Sequence, residues 1–132
     1  MVRILLADHH ANALWGLKTL IQEEPGLEVV GEAVDGESLN NLCVRLHPDL
    51  ILIDKDLPGS PIDILMAALH RLIPRPIVIV MSSDPEYSRM MLKAGADAFV
   101  SKGDQPDWLL QILRNYKKRT QKTEVQIKDN TP

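Results

Sequence analysis

The sequence predicts an α/β domain: a doubly wound, five-stranded parallel sheet with helices on both faces. Three observations carry this prediction. Short apolar runs rich in β-branched residues recur five times, segments of helical period lie between them, and cap or turn residues sit where the period changes. Such alternation needs right-handed crossovers between parallel strands, which place helices on both faces of the sheet.

The elements follow in order. The first strand is Val2 to Ala7 and stops at Asp8; Leu14, Leu17 and Ile21 then mark the apolar stripe of a helix, with Trp15 beside it and half exposed. Leu27 to Ala33 is the second strand. Leu39, Leu42, Cys43 and Leu46 fall at i, i+3, i+4 and i+7 and predict the second helix. Leu50 to Ile53 is the third strand, and Ser60-Pro61-Ile62-Asp63 reads as a capping box with proline at the first helical position. Ile77 to Met81 is the fourth strand. Asp84-Pro85 predicts an N-cap and first turn for a helix striped by Tyr87, Met90, Met91 and Ala94, ended by Gly95 in the left-handed conformation. Ala98 to Val100 is the fifth strand, and Leu109, Ile112, Leu113 and Tyr116 stripe the last helix. All five strands read as buried on both faces.

Composition narrows the function classes. A chain of 132 residues with 45% hydrophobic and 25% charged content is one ordinary globular domain. A single cysteine, Cys43, excludes a disulfide framework and suits a reducing compartment. A net charge of −3 gives the whole no electrostatic footprint for nucleic acid. No run approaches the roughly 20 apolar residues of a membrane span, and the N-terminus lacks a signal-peptide layout, so no membrane association and a cytoplasmic location are expected. From Arg114 onward, basic residues outnumber acidic ones and the apolar period fades past Tyr116; residues 119–132 read as a flexible basic tail or linker stub after a domain spanning 1–118.

In a doubly wound sheet the ligand site lies beyond the carboxyl ends of the strands. Four polar residues stand there: Asp8, Asp54 in "LILIDKDLPGS", Ser82 in "IVIVMSS" and Lys102 in "AFVSKG". Two carboxylates can hold a hard cation through oxygen, and a lysine and a hydroxyl can take up phosphoryl oxygens.

With "ILLAD", "PDLILIDKDLPG", "PIVIVMSS" and "AGADAFVSK" in this order, residues 2 to about 118 resemble the receiver domains of two-component response regulators. "ADHH" and "DQPDWLLQIL" look most like receivers that precede a LuxR-type helix-turn-helix domain. The resemblance implies a flavodoxin-like strand order of 2-1-3-4-5. It implies phosphorylation of Asp54 by a histidine kinase or phosphotransfer protein, Mg²⁺ held by Asp8, Asp54 and the backbone carbonyl of Asp56, charge neutralisation by Lys102, and a switch through Ser82 and Phe99. A receiver accepts a phosphoryl group without being a turnover enzyme, can form a homodimer, and reaches nucleic acid only through an output domain that is not visible in this chain.

The position after Asp8 departs from the family pattern, as do Ile62, where the family usually has glycine, and Gly103, where many receivers have proline. A second acidic residue usually follows the first and ligates the metal; here His9 stands in its place. Imidazole suits zinc, copper, iron or nickel better than Mg²⁺, so weakened Mg²⁺ binding and reduced phosphorylation are expected. Adjacent side chains should diverge, which speaks against a shared His9/His10 metal site, and His10 reads as a helix-start residue, His47 and His70 as surface residues. Two further readings stay open. An atypical receiver could act as an interaction module without phosphorylation, and Asp54-Lys55-Asp56 also matches, weakly, the Asp-x-Asp motif of haloacid dehalogenase-type phosphatases, with Asp56 as general acid.

Overall fold

The computed structural model describes residues 1–129, with side chains through Arg119. Strands β1 (Val2–Ala7), β2 (Leu27–Ala33), β3 (Leu50–Asp54), β4 (Ile77–Ser82) and β5 (Ala98–Ser101) form one parallel sheet in the order β2-β1-β3-β4-β5. Between them run α1 (Ala11–Gln22), α2 (Gly36–Leu46), α3 (Ile62–His70) and α4 (Ser88–Lys93), the last entered through a 3₁₀ turn at Pro85–Tyr87; α5 (Pro106–Asp129) follows β5. The chain builds outward from β1 to β2, then returns to the other side of β1 for β3. The order therefore reverses between β1 and β3, where Ala7 is paired with Ile53. This register sets Asp8 and Asp54 next to each other at the crevice where such sheets bind ligands.

β3, β4 and β5 each run one residue further than the apolar runs predict, because Asp54, Ser82 and Ser101 still hold their ladder positions, Asp54 opposite Met81 and Ser82 opposite Ser101. The sheet divides the core in two. Leu5, Ile51, Ile53 and Val80 pack with Leu39, Cys43, Leu65, Leu69 and Met91 on one face. Leu6, Leu52, Ile79 and Val100 pack with Leu14, Ile21, Leu109 and Leu113 on the other.

Several expectations are corrected. β2 and β5 are edge strands, β2 with Glu28 and Glu32 exposed and β5 with only Val100 buried, so neither is buried on both faces as β1, β3 and β4 are. No capping box forms at Ser60–Asp63; Pro61 occupies the N-cap position, and the Asp63 carboxylate accepts the neighbouring Ile64 N–H at 3.0 Å. A reciprocal box caps α2 instead, Asp35 accepting Ser38 N–H at 2.8 Å while the Ser38 hydroxyl takes the Asp35 N–H at 3.3 Å. Asp84 does cap its helix, accepting Glu86 N–H at 2.9 Å, and Gly95 ends α4 at φ +109. Met90, however, is exposed, because the 3₁₀ turn advances about 120° per residue instead of about 100° and rotates the stripe. Trp15 is exposed rather than half-buried. α5 continues to Asp129, whereas the sequence reading has the helix fraying near Lys118; lysine, arginine, glutamine and glutamate are good helix formers and extend the backbone beyond the packed stripe. Among the described residues no helix is long and apolar enough to cross a membrane.

Candidate functional site

The site is built by three strand ends. Asp8 is fully buried, its N–H bonded to the Ala33 carbonyl at 3.0 Å. Asp54 closes β3 and is nearly as buried. From the end of β5, Lys102 is anchored by its N–H on the Ser82 carbonyl at 2.8 Å, and its ammonium reaches both acids: 2.7 Å to Asp8 Oδ2 and 2.8 Å to Asp54 Oδ2. One lysine between two carboxylates leaves the trio one negative charge in excess, which favours a further cation.

Burial alone would raise the Asp8 carboxyl and lower the Lys102 ammonium. Their mutual hydrogen bond and attraction, with the His10 bonds to Asp8 and the Asp54 bond to Lys102, outweigh it. Asp8 is therefore held below the usual carboxylate range and Lys102 above the usual lysine range.

The residue that sequence reading missed is His10. It starts α1 as expected, but the Asp8 carboxylate accepts its backbone N–H at 2.9 Å, and that turn sets the exposed ring over the two acids. His10 Nδ1 lies 3.0 Å from Asp8 Oδ1 and 3.8 Å from Asp54 Oδ2. The neighbouring rings do not diverge: His9 and His10 have centroids 3.8 Å apart, tilted by 42°. One ligand atom each from Asp8, His9, His10 and Asp54 falls within 4.8 Å of the others. An aspartate ending a strand commonly bonds the N–H two residues on, but that tendency alone does not say where the ring will point.

The other predicted residues surround this cluster. Asp56 donates its N–H to Asp54 Oδ1 at 2.9 Å and pairs its exposed carboxylate with Lys55 at 2.9 Å. Ser82 is buried, and its hydroxyl accepts the Asp84 N–H at 3.1 Å, turned toward the α4 entry. Phe99 is partly buried against the same core face as Tyr87, whose ring lies under the Lys55 ammonium at 3.8 Å. His47 is exposed at the left-handed end of α2. His70 is not an isolated surface residue: its ring lies against Gly95 and its Nε2 is 3.3 Å from Arg75.

Residues 4–114 match the response regulator receiver domain. The chain belongs to this family. It is 38% identical over 112 residues to the nitrate/nitrite response regulator protein NarL of Escherichia coli, covering 83% of this chain and 52% of that one. It is 30% identical over 129 residues to the transcriptional regulatory protein LiaR of Bacillus subtilis, covering 96% and 61%. The chain thus spans little more than half the length of the curated relatives it matches. Among solved structures, the receiver of AraT from Geobacillus stearothermophilus superposes with TM-score 0.82 at 26% identity, covering 94% of this chain and 99% of that one. A LuxR-family response regulator from Aurantimonas superposes with TM-score 0.81 at 25% identity, covering 89% and 86%. These matches give no support to the haloacid dehalogenase reading and none specific to an atypical receiver.

Receiver domains are phosphoryl acceptors and bind Mg²⁺ through an acidic cluster. In this chain the donor set fits that ion poorly. Mg²⁺ demands near-octahedral oxygen ligation, yet among the described residues only two carboxylates face the cluster and the remaining donors are imidazoles.

Proposed function

We propose that this receiver accepts a phosphoryl group on Asp54 from a histidine kinase or phosphotransfer protein and acts as a switch, not a turnover enzyme. The observation that supports it most is Lys102 held between Asp54 and Asp8 at the sheet's switch point. A carboxylate oxygen of Asp54 attacks phosphorus, the phosphorus–nitrogen bond of the donor phosphohistidine breaks, and the donor imidazole leaves with a proton from solvent. Lys102, already beside Asp54, offsets the negative charge that arrives. The new oxygens accept the Ser82 O–H, whose oxygen now accepts the Asp84 N–H, and Ser82 moving toward them opens space for Phe99 to turn inward. Residues 1–118 form this domain and 119–132 a basic tail or linker stub; any DNA contact belongs to an output domain outside these residues. The setting is cytoplasmic.

A second reading is favoured by His9: with the acidic pair reduced to Asp8, the fold serves as an interaction module that signals without phosphate. Intact-protein mass after incubation with a small phosphodonor and Mg²⁺ separates the two. A single phosphoryl adduct on the wild type, lost in Asp54→Asn, is the expected result. No adduct on the wild type, with one gained by His9→Asp, establishes the second reading.

A further inference from the structure

We infer that Asp8, His9, His10 and Asp54 form a site for a borderline transition dication of the zinc type, in place of the hard Mg²⁺ of the receiver family. The inference concerns metal identity and stands whether or not Asp54 takes a phosphoryl group.

Three features point to it. The donors are two imidazoles and two carboxylates, a set that tetrahedral zinc accepts and that nitrogen-preferring dications favour along the Irving–Williams order. The spacing is close to what such an ion needs: ligands at about 2.0 Å from zinc lie roughly 3.3 Å from each other in a tetrahedron. His10 Nδ1 stands 3.0 Å from Asp8 Oδ1 and 3.8 Å from Asp54 Oδ2. His9 closes the set by turning about an exposed side chain that is stacked on His10. Finally, Lys102 is bonded to Oδ2 of both acids, which leaves Asp8 Oδ1 facing His10 and keeps the cluster's excess negative charge; Asp54 would join the set through the Oδ2 it shares with Lys102. A dication there would replace the His10–Asp8 hydrogen bond with two metal bonds, the neutral His10 ring carrying its proton on Nε2 so that the Nδ1 lone pair faces the metal.

Calorimetric titration of the full 132-residue chain with Zn²⁺ and with Mg²⁺ tests the site, with Co²⁺ as a spectroscopic probe. One Zn²⁺ per chain is expected, bound roughly tenfold or more tighter than Mg²⁺, and Co²⁺ should show the strong visible bands of four-coordination. His9→Ala and His10→Ala should each weaken Zn²⁺ by about tenfold or more and abolish those bands, while the His47→Gln/His70→Gln double variant binds as the wild type does. His9→Asp should reverse the preference toward Mg²⁺. Zinc binding that survives both His9→Ala and His10→Ala, or that is no tighter than Mg²⁺, overturns the site. Both histidines are exposed, so loss of fold does not confuse the result. The phosphoryl adduct on Asp54 is read by mass on the same variants, which keeps failure of the metal site apart from failure of the switch.

Discussion

Lys102 is the residue on which the site's electrostatics turn. Its ammonium is the one lysine or arginine charge that the described residues bring to both buried acids. Removing one partner of a buried ion pair leaves uncompensated charge, which typically costs 3–5 kcal/mol. The Lys102 side chain is 23% accessible, so water replaces part of its effect and Lys102→Ala should cost about 2–4 kcal/mol at pH 7. In that variant one carboxyl rises above its unfolded pKa, and the deficit against wild type should shrink as pH falls, read by urea denaturation in chelator. Asp8 in the wild type behaves the opposite way. Its folded pKa lies below the unfolded value near 4, so its contribution is present above that value and lost as pH falls through the folded one. The urea midpoint should therefore fall more steeply below about pH 4 for the wild type than for Asp8→Asn. A parallel fall would mean that Lys102 does not hold Asp8 ionised. Asp8, Asp54, Ser82 and Lys102 were all legible as polar residues at strand ends. His10 was not, because its entry depends on one Asx-type hydrogen bond, and a residue next to a strand end has no periodicity to reveal which way it turns.

At the scale of elements, the strands were legible almost to the residue, because central parallel strands need continuous apolar runs. Helix faces were less so: the 3₁₀ entry to α4 carries no mark in its spacing, and Met90 and Met91 look alike in sequence although only Met91 is buried. Gly95 and Gly16 make the element-level reasoning testable with opposite signs. Gly95 sits at φ +109, and an added Cβ would meet the His70 ring at 2.1 Å. Gly95→Ala combines left-handed strain with displacement of His70 and should destabilise the domain by about 1–3 kcal/mol. Gly16 lies in the interior of α1, and an added Cβ would meet nothing within 4 Å. Gly16→Ala should therefore stabilise by about 0.5–1 kcal/mol through helix propensity alone. Thermal or urea unfolding of both variants decides it; a loss of stability in Gly16→Ala would mean that α1 is held by a neighbour at that face.

The whole molecule is one sheet with a separate apolar cluster on each face, and the two clusters communicate only through the strands. Ile21 belongs to the cluster under α1 and α5, Ile53 to the cluster under α2, α3 and α4. Both are fully buried, so Ile21→Val and Ile53→Val should each cost about 0.5–1.5 kcal/mol through the lost methylene and the small cavity it leaves. The residues lie in different clusters and share no packing partner within one, so the double variant should equal the sum to within about 0.5 kcal/mol. Cooperativity is a different matter from additivity. β1, β3 and β4 contribute side chains to both faces, so neither cluster can melt without stripping the same three strands. Unfolding of every variant followed by far-ultraviolet circular dichroism and by tryptophan fluorescence should then give coincident transitions, with Trp15 on α1 and Trp108 on α5 reporting one face. A fluorescence transition that precedes loss of helix signal in Ile21→Val, but not in Ile53→Val, would show the α1/α5 face opening alone. The fold would then be two coupled layers instead of one cooperative unit, and a conformational signal from Asp54 could reach one face without disturbing the other.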